Sequence, residues 1–185
     1  MSRLSGYRVA VVATDGFEES ELLEPIAALK EAGADVKVVA PKAGKIQGFV
    51  HDKKGRRVKV DQTIEEARPD DFEAVQLPGG CLNADALRVV PEVQRFLREM
   101  QQADKPIAAI CHAPWELISA GLIGGRTLTS YHTIQDDIRN AGGISADSSN
   151  ARVRFRAERD RSLEDAAVLR EEMLTGHKSS VLMWS

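Results

Sequence analysis

The chain has 185 residues, of which 43% are hydrophobic and 29% are charged, and its formal net charge is −3. This length and composition are typical of one globular domain, so we expect residues 1–185 to form a single domain. The small net charge argues against nucleic acid as a partner, and the short apolar start argues against a membrane span, so a cytoplasmic protein is expected.

The first forty residues predict a strand, a helix and a second strand. The β-branched runs "RVAVVA" (8–13) and "DVKVVA" (35–40) are typical of buried strands. Between them, the apolar residues of "ESELLEPIAALKEAG" (19–33) repeat at helical spacing. Because proline is tolerated only in the first helical turn, Pro25 predicts that this helix begins near residues 21–22.

The middle of the chain predicts an excursion followed by two further strand and helix pairs. Residues 41–67 are rich in Gly and Lys, which favours a hairpin or an irregular surface segment. "FEAVQLPGG" (72–80) predicts a strand ending in a turn, and "PEVQRFLREMQQA" (91–103) predicts an amphipathic helix. "PIAAIC" (106–111) and "HAPWELISAG" (112–121) repeat the order of strand then helix.

The last third of the sequence predicts two helices, with one exposed strand between them along the chain. Helices are expected at 131–143 and 162–174, with an alternating strand at 151–157 between them. The apolar tail at 181–184 is expected to pack on the body or on a partner subunit. Strands that alternate with helices predict an α/β fold with a mostly parallel sheet covered on both faces.

Cys111 lies where a predicted strand passes into a predicted helix. Ala109 and Ala113 place small residues two positions before and after it, as a tight nucleophile elbow requires. A thiol at a helix start is expected to have a lowered pKa and to be reactive, whereas the alternative is a buried, inert cysteine. Side chains at adjacent helical positions diverge, so His112 is not expected to face its neighbour.

Two other strand ends are expected near this cysteine, because the carboxyl ends of parallel strands share one edge of a sheet. The first strand is followed by Glu18 and Glu19, and the "LPGG" strand by Gly79 and Gly80. The N–H groups of the glycines, together with Ala113, are candidates to bind an oxyanion or the substrate. The alternatives are a solvated first turn of a helix and a plain Pro-Gly-Gly turn.

The sequence contains no pattern typical of a cofactor or metal site. His51, His132 and His177 lack the short paired spacing of zinc ligands, so no metal is expected. No glycine-rich nucleotide or phosphate loop opens a helix, so no cofactor is expected. Cys81 and Cys111 are too few for a disulfide framework and predict free thiols.

Several motifs resemble the DJ-1/PfpI family, within the class I glutamine amidotransferase-like superfamily, and in particular its PfpI-like branch. They extend from about residue 8 to residue 143 and are "GFEESELLEP", "LPGG" followed by "DALR", "KPIAAICHAPWELISAGLIGGRTLTSY" and "QDDIRNAGG". The resemblance implies a flavodoxin-like three-layer sandwich with helices on both faces of the sheet.

The resemblance also implies roles for individual residues. Cys111 matches the family's nucleophile and His112 the histidine that follows it. Glu18 is aligned with the carboxylic acid that hydrogen-bonds the sulfur, and Gly80 with an amide of the oxyanion hole. Asp85 aligns best with the acid that orients the histidine from a second subunit, which implies a homodimer or a higher oligomer.

The function implied is that of a stress-protective cysteine hydrolase. Its substrates would be peptides, or small carbonyl compounds such as methylglyoxal and glycated groups. The alternative hypothesis is an oxidative-stress sensor or holdase chaperone in which oxidation of Cys111 matters more than turnover. Cys81 stands where the family commonly has a basic residue, and it is either a resolving cysteine or a passive side chain.

Overall fold

The computed structural model describes residues 3–146 and 180–183. Within them the strands are β1 (Arg8–Val12), β2 (Phe17–Glu18), β3 (Asp35–Ala40), β4 (Lys45–Val50), β5 (Lys53–Lys59), β6 (Gln62–Thr63), β7 (Ala74–Leu77), β8 (Ile107–Ile110), β9 (Thr127–Leu128), β10 (Ile144–Ser145) and β11 (Ser180–Met183). The α-helices are α1 (Glu19–Glu31), α2 (Cys81–Leu87), α3 (Pro91–Gln102), α4 (Pro114–Ser119) and α5 (Gln135–Asn140).

The central sheet has the strand order β11-β8-β7-β1-β3-β6. All its pairs are parallel except β11 with β8, which are antiparallel. In register, Val9 of β1 lies between Val36 of β3 and Ala74 of β7. The predicted mostly parallel sheet is confirmed, and β1, β7 and β8 bring their carboxyl ends to one edge.

Alternate residues of β1 belong to two separate apolar cores, one on each face of the sheet. Val9 and Val11 pack with Leu22 and Leu29 of α1. Ala10 and Val12 belong to the other core, which includes apolar residues of α2, α3, α4 and α5. All of these β1 side chains are fully buried, and residues 9–12 therefore form a continuous apolar run, as is typical of a strand covered on both faces. The fold is the flavodoxin-like three-layer sandwich that was predicted.

Within residues 41–67, for which a hairpin or an irregular segment was predicted, residues 45–59 form a hairpin. β4 and β5 pair antiparallel, with an irregularity between Gln47 and Phe49, and β2 adds to β4 in parallel. Gly48 faces the ring of Phe17, where a Cβ would lie 2.7 Å from ring carbons. This close approach holds the hairpin against the segment that follows β1.

The predicted start of the first helix is wrong, because α1 begins at Glu19 and Pro25 lies inside it. A proline within a helix leaves the carbonyl four residues earlier without its N–H donor. That carbonyl belongs to Glu21, and it accepts a hydrogen bond from Nε2 of the buried Gln76 at 2.8 Å. A side chain from β7 thus replaces the missing helical hydrogen bond, so α1 continues through Pro25.

Other elements differ from the predictions or lie outside the described residues. The sequence predicts no helix where α2 lies. The helix predicted at 131–143 begins as a 3₁₀ turn, His132–Ile134, before α5. The strand at 151–157, the helix at 162–174 and Trp184 lie outside the described residues. In the described ranges no helix has the length and apolar character needed to cross a membrane.

Candidate active site

Cys111 occupies a sharp turn between β8 and α4. Its φ angle is 59°, in the left-handed region that non-glycine residues rarely adopt. The turn is held on both sides, because Tyr131 N–H donates to the Cys111 carbonyl at 2.8 Å and Ala113 N–H donates to the Ile110 carbonyl at 2.9 Å. Such a conformation costs about 1–3 kcal/mol, which points to a functional position.

The side chain of Cys111 faces a cavity of about 610 Å³, a volume in the range of small-molecule sites. The wall comes from the loops after β1, β7 and β8 and from the β4–β5 hairpin. The lining residues are Gly16, Glu18, Ser20, Glu21, Phe49, His51, Gly80, Cys81, Leu82, Ile110, Cys111, His112 and Tyr131.

The Sγ atom of Cys111 lies 3.1 Å from Nδ1 of His112. The expectation that these neighbours diverge is wrong, because residues 111–113 form a turn and not a helix. The His112 ring is stacked at 4.6 Å between centroids on Tyr131, which fixes its plane. Burial, and secondarily the nearby His132, lower the pKa of His112. The ring is therefore neutral at pH 7, and Nδ1 can accept the thiol proton.

Glu21 is the carboxyl group next to the sulfur. It is buried in the first turn of α1, and its side chain forms a hydrogen bond with Cys111. Its Oε2 accepts the N–H of Gly79 at 2.8 Å. Burial, helped by the charge of Glu18, raises the pKa of Glu21 to about 7, although the Gly79 N–H opposes this. The carboxyl group therefore titrates near neutral pH.

Cys111 and Glu21 compete for one proton. Burial and the charge of Glu21 raise the pKa of the Cys111 thiol to about 12, whereas N–H groups of Gly80 and His112 donate to the sulfur and lower it. Once Glu21 has lost its proton, the last proton of the pair is held strongly. The predicted lowering of this pKa by a helix start is not seen, because α4 begins only at Pro114 and burial dominates.

The alignment of Glu18 with the acid at the sulfur is corrected by this geometry. Glu18 lies on the cavity wall in β2, and its Oε2 accepts the N–H of His51 at 3.1 Å. β2 pairs with β4, so the Glu18 side chain is directed to the hairpin. Glu19 forms an ion pair with Arg56, with a distance of 3.3 Å between Oε1 and Nε. Neither residue replaces Glu21 at the sulfur.

The candidate oxyanion groups are not equivalent in the structure. The N–H groups of Gly79 and Ala113 are engaged by Glu21 and by the Ile110 carbonyl, so neither faces the cavity as a donor. The N–H of Gly80 points at the sulfur instead. A Cβ at Gly79 would lie 2.6 Å from the Cβ of Cys111, so glycine at this position allows the backbone to pack closely against Cys111.

Asp85 is exposed on α2 and makes no contact with His112 within the described part of one chain. Its neighbour Leu82 lies one turn earlier, is 63% exposed and lines the cavity. Cys81 is also exposed at the cavity. The exposed side of α2 thus borders the candidate site.

Sequence reasoning missed Glu21, Gln76 and Asn83. Glu21, Pro25 and Leu29 are four residues apart and all buried, so a carboxyl group at the start of an apolar helical stripe was the available signal. Asn83 is buried and joins two loops, accepting Thr14 N–H at 2.7 Å and donating to the Pro78 carbonyl at 2.9 Å. No local pattern signals this last role, because its partners are distant in sequence.

The chain is similar to known proteins in family, sequence and fold. The family model described as "DJ-1/PfpI family" matches residues 7–180. The chain is 42% identical over 135 residues to Deglycase TK1284 of Thermococcus kodakarensis, covering 73% of this chain and 78% of the relative. It is 35% identical over 170 residues to General stress protein 18 of Bacillus subtilis, covering 91% and 96%. A ThiJ/PfpI domain protein from Brachyspira murdochii has the same fold, with a TM-score of 0.73 at 18% identity and coverage of 81% and 84%.

Proposed function

The chain belongs to the DJ-1/PfpI family, and from this premise we propose that it is a stress-protective enzyme whose Cys111 attacks carbonyl carbon. The substrates would be small 2-oxoaldehydes such as methylglyoxal, or the groups that they have glycated. The names of the relatives, a deglycase and a general stress protein, support this class of reaction. The observation that carries the proposal is the contact between the Cys111 sulfur and Nδ1 of His112 at 3.1 Å beside the cavity.

The first step is addition of the thiol to the carbonyl group. The sulfur electron pair forms a C–S bond, and the electrons of the C=O double bond move to oxygen. Nδ1 of neutral His112, or the carboxylate of Glu21, takes the thiol proton as this bond forms. The product is a hemithioacetal once the oxygen has been protonated.

The developing oxygen charge is stabilised by backbone donors that already face the sulfur. In the free protein the N–H groups of Gly80 and His112 donate to Sγ. As the C–S bond forms, these donors turn to the new oxyanion beside the sulfur. Removing one such donor typically lowers turnover by about 10²–10³-fold.

Asp85 would complete the site from a second copy of the chain. It is exposed on the same helix as Leu82, and Val89 lies two residues beyond the end of that helix. These two apolar side chains are 63% and 71% exposed and favour a covered surface. In a homodimer or higher oligomer, a carboxylate from the partner's α2 would hold the His112 ring. We place the enzyme in the cytoplasm, where its free thiols stay reduced.

The test is methylglyoxal consumption by the wild type and by Cys111→Ser and His112→Ala variants, with folding checked by thermal unfolding. We expect Cys111→Ser to abolish turnover and His112→Ala to reduce it strongly. Oxidation of Cys111 by peroxide should persist in His112→Ala, because that reaction needs the sulfur and not the base. Full turnover by folded Cys111→Ser would refute the proposal.

A peptide substrate tested beside methylglyoxal distinguishes peptidase activity from reaction with 2-oxoaldehydes. Turnover of the peptide alone, lost in Cys111→Ser, would assign peptidase activity. If neither substrate reacts but Cys111 is readily oxidised, the sensor or holdase alternative replaces the enzyme.

A further inference from the structure

The mechanism above leaves one reactive group at the cavity without a role, the thiol of Cys81. We propose that Cys81 is a resolving thiol, which attacks oxidised Cys111 and closes an intramolecular disulfide across the mouth of the cavity. The reaction goes beyond the proposed carbonyl chemistry and does not depend on it. It would give the site a reversible oxidised state.

Two thiols line the same cavity in the described structure. Cys111 and Cys81 both contribute to its wall, and both are free. The N–H of Gly80, the residue immediately before Cys81, donates to the Cys111 sulfur. The chain that leads into Cys81 therefore passes directly against the atom that would be oxidised.

The two residues before Cys81 are glycines, and no side chain on them separates the thiols. A Cβ at Gly79 would lie 2.6 Å from the Cβ of Cys111, and one at Gly80 would lie 2.3 Å from the Gly16 carbonyl oxygen. This backbone is packed at the distance where only glycine fits. The glycine pair thus places the start of α2 directly after backbone that packs against Cys111.

Cys81 is accessible. It is exposed as the first residue of α2, and Gly80 before it has a φ of 93°. A disulfide requires Cα atoms roughly 4.4–6.8 Å apart. Cys81 lies two residues beyond Gly79, at which a Cβ would be 2.6 Å from the Cβ of Cys111.

The chemistry balances with a hydroperoxide as the oxidant. The Cys111 thiolate attacks the outer peroxide oxygen, the O–O bond breaks, and the products are Cys111 sulfenic acid and an alcohol, or water if the oxidant is hydrogen peroxide. The Cys81 thiolate then attacks the Cys111 sulfur, forming the S–S bond and expelling the hydroxyl group, which takes up a proton and leaves as water. A dithiol reductant restores both thiols and is itself oxidised to a disulfide.

The consequence is protection of Cys111 from irreversible oxidation. A sulfenic acid left alone reacts with more peroxide to give sulfinic acid, which thiols do not reduce. Capture by Cys81 diverts the sulfenic acid into a disulfide that thiols do reduce. The exposed thiol of Cys81 thereby protects the thiol of Cys111 from irreversible oxidation.

The experiment treats the full chain with one equivalent of hydrogen peroxide and follows the intact mass and the Cys81 and Cys111 peptides. We expect the wild type to lose the mass of two hydrogens and to give a peptide linking Cys81 to Cys111, reversed by dithiothreitol. In Cys81→Ser and Cys81→Ala, Cys111 should accumulate as a dimedone-reactive sulfenic acid and then as sulfinic acid. Cys111→Ser should give neither the linked peptide nor these acids.

Accumulation of sulfinic Cys111 in the wild type at the rate seen in Cys81→Ser, without a linked peptide, would overturn the proposal. Resistance of Cys111 to peroxide would overturn it as well. A disulfide between two chains, visible as a dimer on a non-reducing gel, would also contradict the intramolecular bridge. These outcomes are independent of methylglyoxal turnover, so failure here is distinguishable from failure of the proposed function.

Discussion

Nε2 of Gln76 donates to the backbone carbonyl of Glu21 at 2.8 Å, joining the centre of the sheet to the first turn of α1. The carbonyl is available because Pro25, four residues on, has no N–H. The same residue whose backbone is held in this way presents its carboxyl group to the sulfur of Cys111. The hydrogen bond from Gln76 thus helps to position the carboxyl group of Glu21 at the sulfur.

Gln76→Leu should destabilise the protein by about 1–3 kcal/mol, because it leaves the buried Glu21 carbonyl without a donor. The loss should be smaller in a Pro25→Ala background, where residue 25 regains an N–H that can donate to that carbonyl. Urea unfolding of the two single variants and the double variant measures this coupling. Strict additivity of the two changes would contradict the replacement of the helical bond by Gln76.

Gly79→Ala should destabilise the protein by about 1–3 kcal/mol and reduce turnover, because the new Cβ overlaps its neighbours. That Cβ would lie 2.3 Å from Oε2 of Glu21 and 2.6 Å from the Cβ of Cys111. Gly124→Ala is the matched control, since a Cβ there meets no atom of the described residues within 4 Å. Equal effects of the two substitutions on melting temperature and turnover would argue against tight packing around Glu21.

Glu116 should make stability fall as pH rises. Its side chain is fully buried in α4, neither of its oxygens is hydrogen-bonded within the described part of the chain, and burial raises its pKa well above the usual value. The folded state therefore keeps a proton that the unfolded chain releases above about pH 4.3. The contribution of Glu116 to the free energy of unfolding is therefore fully present below about pH 4.3. Above that pH it declines by about 1.4 kcal/mol per pH unit until the pKa of Glu116 in the folded protein is reached.

Glu116→Gln removes this titration. Denaturant unfolding of both proteins between pH 5 and pH 7 should show a difference that grows in favour of the variant as pH rises. A constant difference across that range would mean that Glu116 does not keep its proton in the folded protein.

The alternation of strands and helices was predictable because apolar periodicity is a local property. It placed β1, β3, β7 and β8 and the elbow at Cys111 correctly. The position of α1 around Pro25 was not predictable, because the compensating donor Gln76 lies 55 residues from Glu21. The rule that proline is disfavoured inside helices takes no account of a partner so distant in sequence.

The candidate site was predictable in its nucleophile and not in its acid. Cys111 has small neighbours on both sides, which is a local signature. The choice between Glu18 and Glu21 depends on whether residue 18 is in a strand or a helix, and the pairing of β2 with β4 decides this. The approach of His112 to Cys111 depends on a positive φ of 59°, which nothing in the local sequence specifies.

The central claim is that Cys111 and Glu21 form one titrating pair, in which the charge of Glu21 holds the last proton on the sulfur. The most direct measurement is the rate of Cys111 alkylation by iodoacetamide against pH, made in a Cys81→Ser background so that one thiol reacts. We expect the wild-type rate to stay low until well above neutral pH, and Glu21→Gln to move the rise to lower pH, because it removes the charge that raises the thiol pKa. The matched Glu18→Gln variant should leave the profile close to that of the wild type, because the charge of Glu18 acts on Glu21 and not on the thiol. An alkylation profile that is unchanged by Glu21→Gln would contradict the account.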